Sequence, residues 1–73
     1  MFDMGTHHGF HLAAGRTGED RYTIFADGKA LGTVREGRSN YHKDGFIYQR
    51  AWHGTLAEAA IHVVFATKEA QQS

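Results

Sequence analysis

The 73-residue chain contains no cysteine, which excludes a disulfide framework, a thiolate metal site and a cysteine nucleophile. That absence fits a reducing compartment. Serine is almost as scarce: Ser39 and Ser73 are the only two. Neither lies in a G-x-S-x-G elbow, and no phosphate-binding glycine loop is present. Asp27 and Asp44 each sit beside a glycine as turn residues, which accounts for them without chemistry. An enzyme is not expected. There is no excess of charge of either sign, since eight Lys/Arg balance eight Asp/Glu, and this weakens the case for strong nucleic-acid binding. Long apolar runs are missing too. The longest, TLAEAAIHVVFAT, is interrupted by Glu58 and His62 and is too short to span a bilayer. The first residues lack the basic and apolar regions of a signal peptide. The expectation is a soluble protein of the cytoplasm without a membrane partner. A chain of this length forms one domain and buries only about 60 % of its unfolded surface, so its core is small.

What is there centres on Phe46 to Thr67: an aromatic stretch (FIYQRAW), a turn (HG) and the one convincing helix. Thr55 followed three residues later by Glu58 has the spacing of a capping box. Before it, Met1 to Gly9 (MFDMGTHHG) has no periodicity and reads as a flexible tail, although it carries Met1, Phe2 and Met4. Phe10 to Ala14 alternates weakly as a strand and would pair with Arg21 to Ala26 (RYTIFA), the best strand in the chain. Asp27-Gly28 is the strongest hairpin signal, leading to a return strand over Ala30 to Arg35. Leu31 and Val34 have opposite parity, so a bulge near Gly32 is needed to aim both inward. Glu36 to Gly45 is a polar connection of a length that often carries function.

These elements predict an α+β fold: a small antiparallel meander of three strands, or four if Phe10–Ala14 joins, packed on one C-terminal helix. The expected layout is a tail over 1–9, a β-β-β-α domain over 10–68 and a frayed C-terminus over 69–73. The predicted core is Ile24, Leu31, Val34, Ile47, Leu56, Ala60, Val63 and Val64.

Three constellations could carry function. On the helix, Ile61 and Phe65 lie off the main apolar face. Either the tail or a fourth strand covers them, or they form an exposed ridge. In FIYQRAW, read as one strand, Phe46, Tyr48, Arg50 and Trp52 share a face opposite Ile47, Gln49 and Ala51. With Ile47 and Ala51 toward the helix, the first set is an aromatic-plus-arginine row on the open face. Such a row suits protein recognition or base stacking; equally, those aromatics are the core. Arg35 to His53 holds four cations against two carboxylates, a local +2 that could form a basic patch or a solvated loop. Six histidines include His7, His8 and His11, but no metal motif spacing accompanies them, and no metal site is predicted. They should make the chain more cationic as pH falls below about 6.5.

Two resemblances follow from RYTIFADGKALGTVREG, FIYQRAW and the capped TLAEAAIHVVFAT. Locally, the layout from Tyr22 to Thr67 resembles the ββα DNA-binding modules of integrase and AP2-type proteins. Over the whole chain, including its MFDMGTHHGF start, it resembles the short RNA-polymerase-binding transcription regulators of lytic Xanthomonas phages. That resemblance implies binding to the β and β′ subunits of the host bacterial polymerase, inhibition of σ-dependent initiation by displacing the σ factor, antitermination, and residence in the host cytoplasm. It implies no cofactor. The residues expected to make contact, from their own chemistry, are Phe2, Met4 and Phe10 of the tail, Arg38 and Lys43 of the loop, and Tyr48, Arg50 and Trp52 of the open face. A partner segment could also add to a free sheet edge. The alternative is a small ββα nucleic-acid-binding module using the same aromatic row with Arg35, Arg38, Lys43 and Arg50.

Overall fold

A computed structural model describes residues 1–72, with side chains through Ala70. Six strands run in sequence order as one antiparallel meander: β1 (Phe2–His7), β2 (Phe10–Arg16), β3 (Arg21–Ala26), β4 (Lys29–Arg38), β5 (Asp44–Tyr48) and β6 (Ala51–His53). The sheet curls into a half-barrel and packs against one helix, α1 (Leu56–Gln72). The α+β class and the C-terminal helix are as expected. The strand count is not: six replace three or four.

Both extra strands come from hairpins of two residues. His8-Gly9 closes β1 onto β2 with His7 opposite Phe10, so the segment read as a flexible tail is an edge strand. Gln49-Arg50 divides FIYQRAW into β5 and β6, with Tyr48 opposite Ala51. Together with Asp27-Gly28, all three turns have positive φ at both central residues, the mirror-image turn whose twist matches the strands it joins. Glycine makes that conformation easy at two of them. Gln49 (φ 50°) and Arg50 (φ 69°) have no such help, and each left-handed residue with a Cβ costs about 1–2 kcal/mol.

The bulge anticipated near Gly32 is present. Ile24 pairs with Gly32 and Phe25 with Ala30, leaving Leu31 as the extra residue and bringing both it and Val34 to the core side. The helix begins as predicted, with the Thr55 hydroxyl accepting from the Glu58 backbone N–H at 3.1 Å. It continues through the segment expected to fray; Ser73 lies outside the described residues.

Leu12, Ile24, Val34 and Val63 are the largest fully buried side chains, joined by Ala14, Ala26, Ala59, Ala60 and Val64. Leu31 and Leu56 pack against this core half-buried. Ile61 joins them, whereas Phe65 stays 43 % exposed with the His8 ring edge-on to it at 5.1 Å. The N-terminal segment thus reaches the second helix face without closing it.

Candidate functional site

The face of the sheet is set by which neighbours lack a Cβ. On the helix side, Gly32 leaves room for Tyr48 and Val63: a Cβ there would stand 3.2 Å from Val63 Cγ1 and 3.3 Å from the Tyr48 hydroxyl. Tyr48 and Phe46 accordingly pack toward the core, Tyr48 edge-on to His62 at 5.0 Å and Phe46 edge-on to Tyr22 at 5.9 Å. On the opposite side Gly37 and Gly45 form a cross-strand pair. Ile47 lies over Gly37, with Cγ1 3.1 Å from where a Cβ would be, and the indole of Trp52 lies over Gly45, with Nε1 2.5 Å from the equivalent point.

Two expectations are therefore corrected. Ile47 is not a core residue, and Phe46, Tyr48, Arg50 and Trp52 do not share one open face. Alternation holds only along a continuous strand, and the Gln49-Arg50 turn breaks this one. The row exists in a different direction. Arg21 pairs with Arg35, Arg35 with Ile47, and Ile47 with Trp52. Directly opposite residues on antiparallel strands point to the same face, so these four side chains form a line across β3, β4, β5 and β6 on the face turned away from the helix.

The Ser39–Lys43 loop rises beside this line. Its shape is set by the Ser39 hydroxyl, which accepts from the backbone N–H groups of Tyr41 (3.2 Å) and Lys43 (3.3 Å). The Ser39 N–H donates to the Lys43 carbonyl at 2.9 Å. Tyr41 is left 86 % exposed. Arg38, Lys43 and Arg50 rim a groove of about 680 Å³ that Tyr41, Ile47 and Trp52 also line. Arg38 donates to Asp44 at 3.1 Å, and Arg21 lies 4.0 Å from Asp20.

Of the eight contact residues expected from sequence, four (Arg38, Lys43, Arg50 and Trp52) meet in this groove. Tyr48 faces the helix instead. Met4 and Phe10 pack against the core, while Phe2 is 60 % exposed on β1, away from the groove. Arg21, Ile47 and Tyr41 were not anticipated, and Arg35 was expected only in the nucleic-acid alternative. No local motif points to them: Arg21, Arg35 and Ile47 converge only through strand register, and Tyr41 is placed by the loop fold around Ser39.

The free edge of β1 is poorly suited to strand addition. It carries a bulge between Asp3 and Gly5. The Gly5 N–H donates to Asp3 Oδ1 at 2.8 Å, and His7 Nε2 lies 2.8 Å from the Met4 carbonyl. A bulge and locally occupied polar groups both blunt an edge.

At the other edge, His53 Nε2 and His62 Nδ1 are 3.0 Å apart, tying β6 to α1. Burial holds His53 below the ordinary histidine pKa, the His62 charge acts in the same direction, and Glu58 opposes them. Tyr22 is raised by its hydrogen bond to Glu36 and by burial. Among the described residues no three His, Cys, Asp or Glu side chains gather as a metal site, and no helix is long and apolar enough to cross a membrane. The chain matches no protein-family model, no curated protein and no solved structure.

Proposed function

We propose that this chain is a non-catalytic transcription regulator that binds host bacterial RNA polymerase through the Trp52 face. In this reading it occupies a surface of the β and β′ subunits, displaces the σ factor to inhibit initiation, and promotes antitermination on the elongating enzyme. It acts in the host cytoplasm and needs no cofactor. The observation that carries the binding role is the Trp52 indole, laid on Gly45 beside Ile47 and the exposed Tyr41 and ringed by arginine and lysine. Tryptophan, tyrosine and arginine dominate binding energy at protein interfaces. The identity of the partner comes from the whole-chain resemblance to the phage regulators.

The test is titration of the ¹⁵N-labelled chain with purified polymerase subunits, followed by transcription from a σ-dependent promoter. Loss of signal from Tyr41, Ile47 and Trp52, with inhibition abolished in a folded Trp52→Ala variant, is the expected result. Unchanged inhibition by that variant would remove the Trp52 face from the mechanism. A second reading, single-stranded nucleic-acid binding, is favoured by the Arg38, Lys43 and Arg50 rim. Salt separates the two: phosphate contacts lose roughly 0.7 log units of affinity per neutralised phosphate per decade of salt on single strands. An interface with an apolar centre falls more gently.

A further inference from the structure

Arg21 and Arg35 stand directly opposite each other on β3 and β4. Like charges in that position destabilise a sheet. Asp20 approaches Arg21 at 4.0 Å, and Arg35 has only the apolar Ile47 as its other cross-strand neighbour. Broken local rules of this kind are expected at functional or strained sites. The same line of side chains continues to Ile47 and Trp52, so an anion-seeking pair and an apolar seat lie on one axis.

We infer that this cross-strand line receives an extended acidic segment of a protein partner, running across the strands, with an apolar side chain on Trp52 and Ile47 and carboxylates on Arg35 and Arg21. Strands are about 4.8 Å apart, which places Arg35 roughly 10 Å and Arg21 roughly 14 Å from Trp52. An extended chain advances about 3.3 Å per residue and alternates faces, so the residues that share the anchor's face are those two and four positions on, about 7 and 13 Å along, where carboxylates come within reach of the long Arg35 and Arg21 side chains. Arginine forks bind carboxylates in pairs of hydrogen bonds, which gives the register its specificity. A protein segment fits better than a nucleic acid for two reasons. The centre of the line is an aliphatic side chain. The flanking Arg38 is also matched already, by Asp44 at 3.1 Å, within a chain of zero net charge. This inference rests on the preceding section only in taking the Trp52 face as a protein-docking surface.

The experiment uses the full ¹⁵N-labelled chain and three probes: a Ser/Gly peptide with one tryptophan and glutamates two and four positions later, the same peptide with lysines in place of the glutamates, and an oligothymidylate. The expected result is that the glutamate peptide shifts Arg21, Arg35, Ile47 and Trp52 together, and that the lysine peptide does not. Arg35→Glu should weaken the glutamate peptide about tenfold and bring in the lysine peptide, a reversal characteristic of steering by charge. Because Arg35→Glu replaces a like-charge pair with an opposite one, the variant should fold, and its ¹⁵N spectrum checks this. Equal binding of both peptides, no binding of either, or oligothymidylate binding alone on this line would overturn the inference. Polymerase added to the same samples separates the two proposals. A chain that takes the glutamate peptide but ignores polymerase refutes the polymerase reading alone. One that binds polymerase through Trp52 with Arg35→Glu unaffected refutes only the acidic segment.

Discussion

Gly45→Ala tests the construction of the Trp52 seat directly. Gly45 does not have the positive φ that disfavours side chains, so the backbone accepts alanine and the cost is steric. The new Cβ would stand 2.5 Å from Trp52 Nε1 and 2.6 Å from Cε2, and would press on the His53 carbonyl. Carbon contacts are comfortable at about 3.5–4.0 Å, so the overlap is roughly 1 Å against both an indole and the β6 backbone. Overpacking of that kind costs about 1–3 kcal/mol. Reduced freedom of the unfolded chain returns about 0.4–1 kcal/mol, leaving a net loss of roughly 1–2 kcal/mol. For a domain of this size, each 1 kcal/mol lowers the melting temperature by about 4–8 °C. Trp52 is the only tryptophan, so its fluorescence reports the seat without assignment. Urea melts of Gly45→Ala should give a lower midpoint and a red-shifted native emission as the indole lifts into water. Gly18→Ala is the control: its Cβ would meet only Arg21 Cβ, at 3.9 Å, and stability should be kept or slightly raised. Native stability and an unchanged spectrum in Gly45→Ala would refute the placement of Trp52 on β5.

Three further outcomes are expected. Because His53 is held below its ordinary pKa by burial and by His62, the folded state disfavours its protonation relative to the unfolded chain. Its contribution is complete above about pH 6.5 and is lost as pH falls through the depressed folded value. Urea melts from pH 7.5 to 5 should show this loss, and His53→Gln should reduce the slope. Thr55→Ala removes the acceptor for the Glu58 N–H and should cost about 1 kcal/mol, with amide exchange accelerating first in the opening turn of α1. Leu12→Ala empties a fully buried site and should cost about 2–5 kcal/mol, enough in so small a domain for thermal denaturation to begin at much lower temperature.

Much of the fold was legible where a local rule and the tertiary outcome agree. Asp27-Gly28 predicts its own turn because the residues themselves favour positive φ. The conflict in parity between Leu31 and Val34 announces a bulge, and one is found at Leu31. Thr55 and Glu58 mark the start of α1 because a cap is a contact across three residues. Strand β1 was not legible: Gly5 and the bulge beside it interrupt the alternation, and the segment is ordered by pairing with β2. Nor was the break in FIYQRAW, whose Phe, Ile, Tyr and Trp favour strand and whose turn has neither glycine nor asparagine. There the closure of the β5–β6 hairpin imposes a conformation that Gln49 and Arg50 would not choose.

The sequence by itself determined the capped helix, the central hairpin, the zero net charge and the absence of thiol chemistry, because each follows from residue identities or from neighbours within a few positions. Only the tertiary structure decided which side of the sheet faces out. Alternation divides a strand into two sets of side chains but does not say which set meets the helix. That choice was made across strands by Gly32 on one face and by Gly37 and Gly45 on the other, where a missing Cβ admits Tyr48 inward and lays Ile47 and Trp52 outward. The line from Arg21 to Trp52 has the same origin. Its four members are separated along the chain and become neighbours only through strand register.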